Sequence, residues 1–298
     1  MLLLLFALPH QANAQFMDSQ TGLLQMPSGE MQPSGTFMIT NNFVNKHSLP
    51  QENVWWGYNT FMYGFSLTFF SRVEVSYICV LYMGKADTKF WPEQTWGKYT
   101  NQDRHFAVRL QLLKEGEFGW DWMPSVVVGV SDPYTMGLYN PEEISQRPGN
   151  GHFNRMYICA TKHFHTSAGD VSANLGYQYN LRNDYRYNAP CAAVTWSPVW
   201  FQNKWFNPKY ILEFDSRTVN IGFISSIWDD RFEFMFELQN FQWVNFGARF
   251  KVNLKKIGSE SFWSAIVKEY PPGRPFGPPG GYFMAQLQEK WEEMMEYR

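Results

Sequence analysis

The sequence is short of charged residues, of cysteines and of long apolar runs. Only 17% of its 298 residues are charged, whereas an ordinary soluble domain has about 25%. The net charge is -2, so the chain lacks the basic field that nucleic-acid-binding proteins carry. No run reaches the roughly 18 apolar residues that a membrane-spanning helix needs. The composition therefore argues against nucleic acid as a partner and against a helical membrane protein.

Cysteine is represented only by Cys79, Cys159 and Cys191, an odd set in which no spacing matches a metal site. The sequence also lacks a glycine-rich phosphate loop, a His-Glu-x-x-His motif and a Cys-x-x-Cys motif. We expect the cysteines to be small apolar residues on strand faces, with a disulfide as the alternative. The sequence predicts no metal and no cofactor.

Aromatic residues are abundant, with 26 Phe, 16 Tyr and 13 Trp making up 18% of the chain. The mean hydropathy is nevertheless -0.38. Many aromatics, few charges and a polar average are typical of a membrane β-barrel whose strands alternate between lipid and a wet lumen. A soluble β-sandwich shares the aromatics but usually carries more surface charge.

Residues 1–14 have the features of a signal peptide. Residues 2–8 form an apolar stretch, and Ala12-Asn13-Ala14 supplies a small-x-small cleavage pattern before Gln15. A buried N-terminal strand or helix is the alternative. Export without a spanning helix leaves the periplasm, the exterior or the outer membrane of a Gram-negative cell as the location.

Alternation of apolar and polar residues dominates residues 35–254. The clearest case is 244–254, in which Val, Phe, Ala, Phe, Val and Leu alternate with Asn, Gly, Arg, Lys and Asn. We count about twelve such segments, an even number as single-chain bacterial barrels require, although ten or fourteen strands are also possible. The segments are 35–45, 57–70, 73–84, 103–115, 121–131, 152–164, 169–180, 189–197, 206–215, 218–227, 230–239 and 242–254. Residues 15–254 are thus predicted to form an all-β, antiparallel, transmembrane β-barrel of about 12 strands.

The connections between these segments differ in length. Those at 71–72 and 165–168 are short, whereas those at 46–56, 85–102 and 132–151 are long. Short periplasmic turns and long extracellular loops produce this asymmetry in outer-membrane barrels. The second half of the chain follows the rule less well.

The inner faces of the predicted strands carry both signs of charge. Such groups are costly in a dry core but tolerable in a water-filled lumen. Glu74 and Arg155 belong to these faces, and we expect the lumen to be lined by Arg109, Glu213, Asp215, Glu233, Glu237, Arg249 and Lys251.

Two arrangements could indicate catalysis. Glu213 and Asp215 share a face of one strand, and paired carboxylates are used by glycosidases. His163 and His165 lie in what the pattern predicts to be a short periplasmic turn, where an outer-membrane hydrolase could use them. We favour a lumenal hydrogen-bond network for the first pair and a polar turn for the second, and therefore predict no enzyme.

Residues 255–298 have a different character. A Pro/Gly-rich run at 270–281 cannot form a strand or helix interior. Five apolar residues at helical spacing follow, so the sequence predicts a periplasmic tail with a short amphipathic helix: Phe283, Leu287, Trp291, Met294 and Met295. That helix could pack on the barrel rim, lie at the membrane interface, plug the lumen or dock a periplasmic partner.

Three stretches resemble the YjbH family. Residues 21–37 are similar to its Gly-Leu-hydrophobic-x-x-Pro-x-Ala-Arg-Met-x-x-x-Gly pattern, with Gly29 and Glu30 in place of Ala and Arg. Residues 124–132 resemble its Pro-x-hydrophobic-x-x-Gly-hydrophobic-x-Asp strand. Residues 210–215 with 220–222 resemble its Glu-Tyr-Asp…Asn-hydrophobic-Gly segment, with Phe214 replacing Tyr. The matches follow the family order.

The resemblance implies an outer-membrane barrel linked to exopolysaccharide. We therefore expect a role in the export or assembly of envelope polysaccharide, with membrane lipid, polysaccharide and a periplasmic partner of the tail helix as possible partners. The alternatives are a general small-solute channel and a non-conducting structural or docking barrel.

Overall fold

A computed structural model of the chain describes residues 18–49, 57–84, 86, 92–133, 153–180, 188–203 and 205–254. The chain forms two compact units, 1–253 and 254–298. The predicted signal peptide at 1–14 and the tail at 255–298, with its helix, lie outside the described residues.

Twelve antiparallel strands within the described residues form a closed barrel. Each strand pairs with its neighbours in sequence, and β1 closes the ring by pairing with β12 from Thr36↔Asn253 to Phe43↔Phe246. This confirms the predicted all-β barrel of twelve strands. Their bounds are β1 (Thr36–Val44), β2 (Thr60–Phe69), β3 (Val73–Met83), β4 (Tyr99–Leu113), β5 (Ser125–Ser131), β6 (Arg155–Thr166), β7 (Gly169–Tyr179), β8 (Ala189–Pro198), β9 (Asn207–Phe214), β10 (Val219–Ile227), β11 (Phe232–Gln239) and β12 (Trp243–Asn253).

Several strand bounds differ from the prediction: β5 begins at Ser125 rather than near 121, β2 at Thr60 rather than 57, and β6 at Arg155 rather than 152. Strand β4 begins at Tyr99 rather than near 103, because Tyr99 still pairs with Met83 across a bulge. Strand β6 continues to Thr166, which pairs with Gly169. His165 therefore lies in a strand, and the predicted turn at 165–168 shrinks to residues 167–168.

The faces of the strands reverse the arrangement of a soluble barrel. In β12, Asn245, Arg249 and Lys251 are buried inside, whereas Phe246 is 50% exposed on the outside. Aromatic rings on adjacent strands contact one another over the outer surface, as where Phe43 stacks on Phe246 at 4.9 Å between centroids. The outer surface is therefore predominantly apolar and the interior largely polar. Within the described part of the chain, no helix is long and apolar enough to span a bilayer.

The two ends of the barrel differ. At the end where β1 begins and β12 finishes, which we call the terminal end, the connections 70–72 and 167–168 are short. At the opposite end, the loop end, the connections 45–59, 84–98 and 132–154 are long, although 215–218 and 240–242 are short. In the first half of the chain the predicted asymmetry therefore holds apart from the 114–124 connection, which lies at the terminal end and is long.

Three tight turns place an exposed aromatic residue in the left-handed backbone region. The φ angles are 53° at Phe70, 54° at Trp228 and 56° at Phe241. Turns of this kind favour Gly, Asn or Asp, because a bulky side chain is strained there. The aromatic rings are therefore held at the barrel ends against local conformational preference.

We call residues 18–34, which precede β1, the plug segment; its residues 18–30 lie inside the barrel. Every residue from 18 to 30 is buried. A tight turn, in which the Leu23 N–H donates to the Met26 carbonyl at 2.9 Å, folds the segment back on itself. Leu23, Leu24 and Met26 pack against inward apolar side chains such as Ile211 and Met235. Where the sequence suggested water, the described lumen holds a segment of the chain itself.

Candidate functional site

The plug segment meets the wall on several sides of the barrel. A Cβ added to Gly64 of β2 would lie 2.8 Å from Ser19 Oγ, and one added to Gly222 of β10 would lie 3.1 Å from Leu24 Cδ1. On another side, the Gly29 N–H donates to Thr161 Oγ1 of β6 at 2.7 Å. Glycines in the wall thus make room for the plug, and contact on opposite sides fixes its position across the lumen.

Arg109 of β4 binds the backbone of the plug. Its guanidinium donates to the carbonyl of Thr21, to that of Ser28 at 2.7 Å and to that of Glu30 at 3.1 Å. Glu74 of β3 lies 3.5 Å from the same guanidinium and accepts the Thr21 N–H at 2.9 Å. Both side chains are fully buried, so their charges are stabilised by each other and by the peptide groups of the plug.

Glu213 of β9 and Glu237 of β11 hold the turn of the plug. Glu213 accepts the backbone N–H of Leu24 at 3.0 Å and that of Gln25 at 2.8 Å. The side-chain amide of Gln25 donates to Glu237 at 2.8 Å. The two carboxylates therefore satisfy three donors of the plug that would be costly to bury alone.

Arg155 of β6 pairs with the carboxylate of Asp18. It also donates to the Gln25 carbonyl at 3.3 Å and to Gln178 Oε1 at 3.0 Å. Arg155 thus joins two separate points of the plug, because Asp18 lies at the start of the described segment and Gln25 lies in its turn.

A second ion-pair cluster lies near the terminal end. Lys209 Nζ donates to Glu30 Oε1 at 3.3 Å, and the same oxygen lies 3.0 Å from His163 Nε2. The other ring nitrogen of His163 lies 2.6 Å from Glu115, in the 114–124 connection. Lys162 pairs with Glu115 at 2.9 Å. The cluster links the plug, the wall and a connecting turn.

Glu115 is the member of this cluster that lies outside the strands. Burial by itself raises the pKa of its carboxyl. Hydrogen bonds from His163 and Lys162 outweigh that effect and lower the pKa from 4.5 to about 2. Glu115 is therefore ionised over the whole physiological range.

The third cluster involves β12. Arg249 lies 3.2 Å from Glu233, donates to Thr40 Oγ1 at 3.0 Å and reaches the Gln20 carbonyl at 3.4 Å. Lys251 donates to Glu233 at 2.8 Å. This cluster mainly joins wall to wall and touches the plug through one contact.

The seven residues singled out in the sequence are all buried inside the barrel, and four of them contact the plug: Arg109, Glu213, Glu237 and Arg249. Glu233 and Lys251 pair with each other, and Asp215 accepts the N–H groups of Arg217 and Thr218 at 2.8 Å in a turn. Their predicted role in lining a transport path stays a prediction. Lys209 was missed although the alternation places it on the same inward face of β9 as Glu213. The plug was missed because its sequence shows no alternation.

The two arrangements considered for catalysis are engaged in other contacts. Glu213 binds the plug, and Asp215 holds the turn that follows β9. His163 belongs to the terminal-end cluster, while His165 pairs with Asp170 at 2.6 Å near the surface. The cysteines are buried and free. In the part of the chain that the structure describes, no group of three acidic, His or Cys side chains is placed to bind a metal.

These features define a closed β-barrel with an apolar exterior and a lumen that is occupied by the plug segment. A family model, YjbH, described as exopolysaccharide biosynthesis protein YbjH, matches residues 17–194, more than half of the chain. The chain therefore belongs to the YjbH family, as the resemblance in the sequence predicted. The match includes the plug segment and runs into β8. No curated protein matches the chain.

Proposed function

We propose that this protein is an outer-membrane β-barrel that takes part in the export or assembly of exopolysaccharide, with the plug segment closing its lumen at rest. The family assignment supports the link to exopolysaccharide. The observation that carries the proposal is the pairing of an apolar outer surface with a polar interior that binds the backbone of a chain segment.

The outer surface supports a membrane location. Large apolar side chains on the outward face, such as Phe106, Ile158 and Leu175, are about half exposed or more. Monomeric soluble proteins rarely expose contiguous apolar surface of this extent, whereas a bilayer solvates it. The exposed rings of Phe70, Trp228 and Phe241 at the two ends suit the membrane interfaces.

The interior supports a role for a polar chain in the lumen. Arg109 and Glu213 bind the plug through its peptide carbonyl and N–H groups rather than through its side chains. A barrel of twelve strands is intermediate between one whose side chains fill it and an open porin. Its lumen is thus wide enough to hold one extended polymer.

The first experiment measures the location and the conductance of the barrel. The protein should fractionate with the outer membrane and show a heat-dependent gel shift. In planar bilayers, we expect the full chain to be mostly closed and a variant lacking residues 18–30 to conduct. Replacement of Lys46, which lies outside the lumen contacts described above, supplies a matched control. A soluble fraction, or a folded deletion variant that stays silent, would contradict the proposal.

The filled lumen also favours a second candidate, a non-conducting barrel that assembles or docks other components. In that case the plug deletion gives no conductance, but loss of the protein still reduces secreted polysaccharide. Truncation after residue 270 then tests whether the tail captures a periplasmic partner. A general small-solute channel would instead conduct broadly and leave polysaccharide unchanged when deleted.

A further inference from the structure

The plug segment brings two carboxylates into the lumen, and each meets cationic groups of the wall. Asp18 pairs with Arg155. Glu30 pairs with Lys209 at 3.3 Å and lies 3.0 Å from His163. All of these side chains are largely buried. The cationic groups of two lumenal sites thus receive a carboxylate from a segment that is not part of the wall.

Two other lumenal cations lie beside carboxylates of the wall itself. Arg109 lies beside Glu74, and Arg249 lies beside Glu233. These pairs remain when the plug leaves, whereas Arg155 and Lys209 each lose a carboxylate. An incoming anionic group that restores a carboxylate at these two positions offsets that loss, so withdrawal of the plug is favoured when such a group is present.

Between the two anion positions, the wall binds groups that any polyhydroxylated chain could replace. Arg109 donates to the Ser28 carbonyl, and Glu213 accepts the N–H groups of Leu24 and Gln25. A sugar hydroxyl both donates and accepts hydrogen bonds, so it can satisfy a guanidinium or a carboxylate equally.

A route for withdrawal lies at the terminal end. The plug joins β1 through Ser34 and Gly35, which are tied to the 70–72 turn and β2 by bonds from Ser34 N to Ser71 Oγ (2.8 Å) and from Gly35 N to Thr68 O (2.7 Å). Gly35 has a φ of 85°, which suits a sharp change of direction. Rotation about Gly35 would carry the segment N-terminal to it away from the lumen and leave the pairing of β1 with β12 intact.

We propose that the plug segment occupies the binding path of an acidic polysaccharide, whose carboxylates take the positions of Asp18 and Glu30. Arg155 binds one uronate carboxylate, Lys209 and His163 bind another, and the groups between them bind hydroxyls. The inference rests on the proposed role in exopolysaccharide and adds to it the chemical class of the polymer.

The test is isothermal titration of the purified full-length protein with hexagalacturonate and with neutral maltohexaose. The proteins are the wild type, Glu30→Gln alone, and Glu30→Gln combined with Asp18→Asn. Each substitution weakens the plug without changing the wall, and the gel shift reports whether the barrel is folded. We expect hexagalacturonate to bind at least about tenfold more tightly than maltohexaose, and binding to tighten as plug charges are removed.

Wall variants identify the site. Lys209→Gln and Arg155→Gln, made in the Glu30→Gln background, should each weaken hexagalacturonate binding about tenfold and leave maltohexaose binding unchanged. Arg231→Gln is the matched control, because Arg231 lies in the 228–231 turn against Trp228. It should change neither affinity.

The outcomes separate this inference from the proposed function. If folded plug variants bind both oligosaccharides equally, the polymer is not selected by charge, and the inference fails while the exopolysaccharide role stands. If they bind neither, the lumen is not a glycan site and the inference fails. A protein absent from the outer membrane overturns the proposed function itself.

Discussion

Replacing Arg109 with Met is expected to release the plug while leaving the barrel closed. The guanidinium donates to the carbonyls of Thr21, Ser28 and Glu30, and lies beside Glu74. Met keeps much of the side-chain length but supplies no donor and no charge.

The magnitude follows from the groups that lose their partner. Glu74 is fully buried, and breaking a buried ion pair by removing one member costs about 3–5 kcal/mol. Each carbonyl left unsatisfied would add about 1–3 kcal/mol if the plug stayed in place. The plug can move away and let water reach Glu74, so the cost is limited to the closed state. We therefore expect the free energy of plug docking to weaken by about 3–5 kcal/mol, which raises the population of the open state by two to four orders of magnitude.

Amide hydrogen exchange measured by mass spectrometry reports this change. Plug residues such as Thr21 and Gln25, whose N–H groups donate to wall carboxylates, should lose protection, whereas β11 and β12 should keep theirs. Arg109→Met combined with Glu74→Gln should recover part of the protection, because no buried carboxylate is then left unpaired. Unchanged plug protection in Arg109→Met, or equal loss throughout the strands, would refute the reasoning.

Three further predictions concern the wall, a turn and the terminal-end cluster. Gly222→Val places a Cβ 2.1 Å from the Phe236 carbonyl oxygen, so it should destabilise the barrel by about 1–3 kcal/mol. Urea unfolding measures this, and an unchanged unfolding midpoint would show that the wall tolerates a side chain at this position. Phe70→Asn relieves a left-handed φ of 53°, so it should stabilise the barrel in detergent by about 1 kcal/mol and weaken its insertion into vesicles. Reduced stability in detergent would show that the backbone at Phe70 is not strained. The pKa of Glu115 is lowered from 4.5 to about 2. Its ion pairs therefore contribute their full stabilisation when the pH is above the pKa of the unfolded chain, and this stabilisation is lost as the pH falls towards about 2. Plug protection should fall over that range in the wild type and less in Glu115→Gln, and identical profiles would exclude this role.

The alternation predicted the barrel because it reports directly on which face of a strand meets polar or apolar surroundings. It found β12 to within a residue at each end, since Asn245 to Asn253 face inward at every second position without interruption. It misplaced the start of β4 and the end of β6. There the strands continue, with exposed residues, beyond the alternating segment as far as Tyr99 and Thr166.

The plug could not be predicted in the same way. Gly22, Pro27, Gly29 and Pro33 interrupt the segment, so no period of two or of 3.6 develops, and its backbone is held by side chains distant in sequence. The inward charges were visible, but their partners were not. Arg109 binds carbonyl groups, which every residue possesses and no sequence pattern marks.

The seam between β1 and β12 joins Thr36 to Asn253, so the ring can close only when the last strand has arrived. Pairing over such a separation along the chain is slow. Until β12 pairs with β1, the inward charges of the early strands lie on an open, incomplete sheet. The leading segment is already attached to the first strand and carries the groups that those charges bind. We therefore expect the plug segment to give the early strands a surface against which they assemble, so that the segment that fills the finished barrel also guides its closure.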